Sequence, residues 1–298
     1  MKKFFALVLA AMLVLSLAAC DASSNGEVQS PSDVATSSDG TDASQTETSQ
    51  TEETLSETVL VDEAGVKITA KGLDLGGMFG PELKLLVENN SGKDLTFQSR
   101  NTSVNGYMVE TMMSVDVVNG KSANDGLTFM SSDLEACGIQ TIADMEFSFH
   151  IFTTEDLEDY LRTPPIQLKT SAFETYAYTY DDTGSLAYEG NGVRIVIKGL
   201  AKDDSIFGPS VVAYIENTSD RDITVQTKDV SVNGFMVDAM FSCDVLSGKH
   251  AVDGITFLSS DLEENEITEI ENIELSFHIF ETTGWDTIVD TDTVSITF

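Results

Sequence analysis

The feature that most constrains this chain is an internal repeat. Set against itself at an offset of 128 residues, Phe79-Gly80-Pro81 falls on Phe207-Gly208-Pro209. In the same register Ser103-Val104-Asn105-Gly106 falls on Ser231-Val232-Asn233-Gly234, and Ser148-Phe149-His150-Ile151-Phe152 on Ser276-Phe277-His278-Ile279-Phe280. From Phe79 to Leu168 about 41 of 90 positions are identical without a gap, too many for chance. Upstream, Gly65-Val66-Lys67-Ile68 matches Gly192-Val193-Arg194-Ile195 at an offset of 127, which places one inserted residue near Lys202. Units of more than about 100 residues can each enclose a core, unlike the short repeats of a solenoid. The expected organisation is two domains, 58–170 and 185–298, joined by a junction over 171–184.

Within each unit the hydrophobic period is two. Val66-Lys67-Ile68-Thr69, Met113-Ser114-Val115-Asp116-Val117 and Phe147-Ser148-Phe149-His150-Ile151 alternate, as do their copies, so each run has one apolar and one polar face. Asn105-Gly106 and Asn233-Gly234 carry the signal of a tight hairpin, and Asn89-Asn90-Ser91-Gly92 that of a further turn. Seven or eight short strands per unit predict an all-β fold, two tandem β-sandwiches. Helix is sparse. Ser132-Asp133-Leu134-Glu135 and Ser260-Asp261-Leu262-Glu263 fit a capping box and predict one short turn each, and Thr154 to Leu161 a second in the first unit only. Strands do not alternate with long helices, which argues against an α/β solute-binding protein.

The first residues address the compartment. Lys2 and Lys3 precede an apolar run, Phe4 to Leu17, too short for a comfortable membrane span. Leu17-Ala18-Ala19-Cys20 then resembles a bacterial lipobox. The resemblance implies a signal peptide over 1–19, lipidation of Cys20 as the first mature residue, and a protein anchored through it to the outer face of the cell membrane. Residues 20–57 are rich in Ser, Thr, Asp, Glu and Gln, without Lys, Arg or aromatic side chains. They predict a disordered tether with a mean span of roughly 35 Å.

The turn and strand signals carry a second resemblance. Glu88-Asn89-Asn90-Ser91-Gly92-Lys93-Asp94, then Ser103-Val104-Asn105-Gly106-Tyr107, then Gly120-Lys121 before Leu127-Thr128-Phe129, are similar to the immunoglobulin-like domains of unknown function found in many Gram-positive lipoproteins. The resemblance covers both units and implies an immunoglobulin-like sandwich in each. It implies no catalytic or binding residue.

Charge removes whole classes of partner. With 16 Lys+Arg against 50 Asp+Glu the net charge is −34, and a phosphate backbone or an anionic lipid surface would be repelled. Acidic pairs such as Asp181-Asp182, Asp203-Asp204 and Glu263-Glu264 read as solvated surface, since none has the spacing of a Ca²⁺ loop. Cys137 and Cys243 occupy non-equivalent positions, so neither unit can hold an internal disulfide. Cys243 reads as a small buried hydrophobe and Cys137 as a free thiol. His150 and His278 are equivalent but have no neighbouring His or Cys cluster, so they read as half-exposed strand residues rather than metal ligands. A triad of Ser132, His150 and Asp133 lacks a nucleophile elbow.

What remains is contact by exposed apolar side chains. Tyr107-Met108 and Phe235-Met236 follow the Asn-Gly turns and are the candidate ligand-binding residues, one set per unit. Met78-Phe79 and Ile206-Phe207 precede Gly-Pro turns and are further candidates. Trp285 is expected to seal the second unit, and Phe173, Tyr176, Tyr178 and Tyr180 to pack between the units. The expected function is non-enzymatic and needs no cofactor or metal: a lipid-anchored surface module that binds a protein or an envelope polymer. The alternative is a structural spacer without a specific ligand. A repeated exposed apolar patch favours the first, a uniformly polar surface the second.

Overall fold

In the first repeat the alternating runs become β1 (Thr58–Glu63), β2 (Val66–Asp74), β3 (Glu82–Asn89), β4 (Leu95–Val104), β5 (Tyr107–Met108), β6 (Thr111–Met112), β7 (Ser114–Val117), β8 (Lys121–Phe129), β9 (Asp144–Thr153), β10 (Asp159–Arg162) and β11 (Ile166–Lys169). One short helix, α1 (Ser131–Ala136), precedes β9. The second repeat follows the same course through β12 (Ser185–Gly190), β13 (Val193–Leu200), β14 (Ser210–Asn217), β15 (Ile223–Val232), β16 (Phe235–Met236), β17 (Ala239–Met240), β18 (Ser242–Val245), β19 (His250–Phe257), α2 (Ser259–Glu264), β20 (Asn272–Glu281), β21 (Thr287–Asp290) and β22 (Val294–Thr297). This computed structural model describes residues 54–298 apart from 203 and 204. The expected signal peptide, Cys20, the expected tether up to residue 53 and the pair Asp203-Asp204 lie outside the described residues.

Each repeat is a two-layer β-sandwich. In the first, the sheet β1-β2-β3-β8-β6 packs on a second sheet in which β4 pairs with β9, β7 and β5, and β9 with β10 and β11. Strand β9 shows why: Met145, Phe147, Phe149 and Ile151 are buried, while Glu146, Ser148 and His150 between them are half-buried on the other face. They meet Ile68, Leu83, Leu85 and Leu127 of the facing sheet in one core. The second repeat builds its own core from Ile195, Val211, Ile255, Phe277 and Ile279.

Two asparagines brace each sandwich. Asn89 is fully buried; its side-chain amide donates to the carbonyls of Val117 (2.6 Å) and Lys93 (2.8 Å), and Asn217 makes the same pair of bonds to Val245 and Arg221. Asn105, in the left-handed conformation its hairpin demands, donates to the Thr141 carbonyl and accepts from the N–H groups of Ala143 and Asp144. Asn233 repeats this on Glu269, Glu271 and Asn272.

Several local expectations need correction. Each repeat has eleven strand segments rather than seven or eight, because bends divide some runs into two-residue pieces. The Ser-x-x-Glu motifs do not cap: the N-cap positions are Met130 and Leu258, two residues before Ser132 and Ser260, with no side-chain cap bond. Asp133 and Asp261 instead accept the N–H groups of Glu110 and Asp238, each at 2.7 Å. Thr154–Leu161 is no helix but a turn leading into the edge strand β10, and the second copy has the same turn before β21. Residues 54 and 55, inside the segment expected to be a tether, are ordered: Thr54 exchanges hydrogen bonds with Ser171 and Leu55 packs on the first core.

The repeats are not independent beads; both belong to one compact unit. Strand β5 of the first repeat lies parallel beside β19 of the second, with Tyr107 opposite His250, so one eleven-stranded sheet runs through both. The His250 N–H donates to the Gly106 carbonyl at 2.9 Å. Its ring stacks between Tyr107 (5.1 Å between centroids) and Tyr214 (5.8 Å), and Tyr214 stacks in turn on Tyr180 (5.2 Å). A half-buried Lys249–Glu146 salt bridge at 3.2 Å also crosses the boundary. Of the four junction aromatics, Tyr178 and Tyr180 both pack on Tyr107, whereas Phe173 takes the Lys169 ammonium over its ring.

Burial in this stack holds the His250 imidazole below its ordinary value of 6.5, against a smaller opposing pull from Glu216. As pH falls through 6.5 the unfolded chain takes up a proton that the folded stack resists, so stability present above that pH is lost below it. His250→Phe keeps a ring and removes the titration. Thermal melts between pH 7.5 and 5 are expected to fall more for the parent than for the variant; parallel curves would show that His250 does not couple the junction to pH.

Candidate functional site

The two Asn-Gly hairpins differ in their surroundings. Tyr107 is only 8% exposed, enclosed by His250, Tyr178 and Tyr180, and burial pushes its hydroxyl up to about 12. Met108 packs on the second core. Phe235 and Met236 are 48% and 66% exposed, because β16 ends its sheet with no strand beyond it among the described residues. The expected pair of equivalent contact sites is therefore one glued hairpin and one free hairpin. The cause is an open strand edge, which hydrogen-bonds to whatever backbone is presented to it.

The loops before the Gly-Pro turns do match. Met78 and Ile206 are 92% and 94% exposed, Phe79 and Phe207 57% and 52%. The same bonds hold both loops. The Phe79 carbonyl accepts the Ser131 N–H and the Phe207 carbonyl that of Ser259, both at 2.9 Å, while Phe129 and Phe257 donate to Pro81 and Pro209. Gly80 and Gly208, at φ near +144° and +148°, leave room for this closure, since a Cβ at either would overlap the carbonyl oxygen of Phe129 or Phe257. An apolar side chain left in water forgoes about 2 kcal/mol of burial, and here four are held there on braced loops.

A further pair emerges at Leu157 and Trp285. Both occupy a left-handed backbone position, at φ of 56° and 60°, and are 69% and 74% exposed. Trp285 does not seal the second sandwich; its ring lies on Phe280 with centroids 5.5 Å apart. The sequence signal was available only as a matched position, because Leu and Trp share no motif.

The histidines and cysteines named from the sequence are paired off or buried. His150 bonds Asp159 at 2.6 Å and His278 bonds Asp290 at 2.8 Å, which lowers both carboxyls from their ordinary value, with help from Arg162 and Lys228. The Ser132 hydroxyl donates to Asp133 while His150 faces Asp159, so no triad forms from the three. Cys137 and Cys243 are free and buried, and burial pushes the Cys137 thiol up to about 12. A cleft of about 380 Å³ between the repeats, lined by Arg100, Glu110, Asp133, Asp244 and Asp253, had no sequence signal because its walls come from both copies. Protein crowding raises the Glu110 and Asp253 carboxyls. Among the described residues no three His, Cys, Asp or Glu side chains are grouped to hold a metal ion.

No protein-family model matches the chain, and no curated protein matches it. Among solved structures it is similar to a crystal structure of the YadV chaperone, at 10% identity over 73% of this chain and 92% of that one, with a TM-score of 0.23. At that score the likeness bears on neither fold nor function.

If the Gly-Pro loops are braced as described, Gly80→Ala and Gly208→Ala should each cost about 1–3 kcal/mol. Gly76→Ala, where a Cβ meets only ordinary contact with Asp74, should be near neutral. Urea denaturation reads all three; equal effects would remove the loop geometry from the argument.

Proposed function

We propose that this protein is a non-enzymatic binding module, anchored by lipid on Cys20 to the outer face of a bacterial membrane, that engages a protein partner through the paired loops Met78-Phe79 and Ile206-Phe207. The observation that carries the reading is the duplicated exposure of these apolar side chains on loops whose bracing is the same in both repeats. A spacer has no use for such tips, and an acidic surface of net charge −34 around them keeps them from driving self-association. An immunoglobulin-like identity for each sandwich agrees with the order of turns and strands. Two weak sites on one chain gain avidity for a multivalent partner.

Two experiments test the parts separately. Cys20→Ala is expected to move the protein out of the membrane fraction; retention after a high-salt wash would overturn lipid anchoring. Pull-downs from envelope extracts with the parent, Phe79→Ser, Phe207→Ser and the double variant test the loops. The single variants should retain partner at reduced yield, and the double variant should lose about tenfold or more while melting like the parent. A folded double variant that captures the same proteins equally well would sink the loop assignment.

A further inference from the structure

The turn between β20 and β21 differs from its copy in ways the backbone does not require. Both turns close by the same bond: the Leu157 N–H donates to the Thr153 carbonyl and the Trp285 N–H to that of Glu281, each at 2.9 Å. Leu157 and Trp285 share the left-handed conformation. A leucine therefore suffices for the turn, and the indole is an addition. Its ring lies nearly parallel to Phe280, at 15° between planes, and Phe280 beneath it is only 4% exposed. Phe280 in turn meets His278, with centroids 5.0 Å apart, so the indole rests on a packed aromatic base. The side chain is still 74% exposed, and among the described residues no Lys or Arg lies over its outer face.

The charge around the ring has changed with it. Residues 153–159 carry four acidic side chains, Glu155, Asp156, Glu158 and Asp159, whereas residues 281–287 carry two, Glu281 and Asp286. Thr283, Gly284 and Thr287 stand where the first copy has Glu155, Asp156 and Asp159. Glu281 is the one acid gained, and the Arg221 guanidinium binds it at 2.8 Å. Gly284 is not at a positive φ, so backbone geometry does not call for a glycine. Its effect is to leave the chain bare beside the indole; a Cβ there would meet only the carboxylate oxygens of Glu281 at 3.2 Å and Asp286 at 3.6 Å. Thr287 is opposite Phe280 in the strand ladder, and both Thr283 and Thr287 are exposed.

We propose that the outer face of Trp285 is a subsite for one ring of an uncharged saccharide, with Thr283, Thr287 and Asp286 hydrogen-bonding the hydroxyls at the ring's edge. The C–H face of a pyranose is flat and apolar, which suits an indole held flat on Phe280, while its edge needs a few placed donors and acceptors. An aromatic side chain already fixed by packing loses little freedom when a ligand settles on it. A Lys or Arg side chain also stacks on an indole, but a cation site gains from acidic neighbours, and this copy has exchanged three of them for Thr, Gly and Thr. An anionic polymer is repelled by the net charge of −34. The subsite shares no residue with the loops at Phe79 and Phe207, and it stands or falls independently of them.

Trp285 is the only tryptophan, so tryptophan emission reads this site alone. The protein is titrated to millimolar concentration with neutral hexasaccharides of α-linked glucose, β-linked glucose, mannose and N-acetylglucosamine. At least one should change the emission saturably and protect the indole from acrylamide quenching, with an affinity that salt leaves unchanged. Calorimetry with that sugar then compares variants. Trp285→Leu, which installs the residue the first copy carries in the same turn, should melt like the parent and bind about tenfold or more weakly. Trp285→Phe should lose less. Thr283→Glu with Gly284→Asp, which restores the acids of the first copy, should weaken binding severalfold. The inference is overturned if no sugar in the panel alters the emission, or if the folded Trp285→Leu variant binds as the parent does. Salt-sensitive quenching by tetralysine without any response to sugars would overturn it in favour of a cation site.

Discussion

A strand edge that found a partner organises this molecule. Strand β5 ends the sheet of the first sandwich, and its Gly106 carbonyl takes the His250 N–H at 2.9 Å. Tyr107, at the same point of the chain, closes over the His250 ring. From that one meeting follow the continuous sheet, the burial of the first hairpin, the aromatic stack through Tyr214 and Tyr180, and the acidic cleft between the repeats. An unpaired edge is a liability in water. Here duplication supplied a strand to cover one edge and left the matching edge, β16, uncovered.

Duplication also separates structure from use. Where both copies keep the same buried bond, as with Asn89 and Asn217, the residue serves the fold. Where both keep the same exposed apolar side chain on a braced loop, burial cannot be the reason, and on the proposed reading a partner is. Where the copies diverge, one of them has been recruited to hold the repeats together: His250 replaces Ser122, Tyr214 replaces Leu86, and both lie in the stack.

Much of the sandwich was legible because a period of two requires no knowledge of the partner sheet. Strand β9 alternates in burial as its residues alternate in polarity. The Asn-Gly turns were legible because the hairpin needs positive φ at both positions, and Asn105 and Gly106 have it. The helix start was misplaced by two residues: Met130 and Leu258 stand at the N-caps, and Asp133 and Asp261 each accept a backbone N–H from a distant loop. The candidate site was half legible. Aromatic and Met side chains beside turns were visible, but which of them reach solvent depends on neighbours far away in sequence. Tyr107 and Phe235 look alike as letters and differ in burial because only one has β19 beside it.

By itself the sequence determined the duplication, the all-β class and the turns, because those follow from local stereochemistry and from which side chains water rejects. It also held the lipobox-like Leu17-Ala18-Ala19-Cys20, on which the proposed anchoring rests. Only the tertiary structure decided that two similar hairpins have different surroundings and that His250 sits between two tyrosines. The reason is physical. Exposure belongs to a residue's spatial neighbours, and at the boundary between two copies those neighbours are set by how the sandwiches meet rather than by the pattern each one repeats.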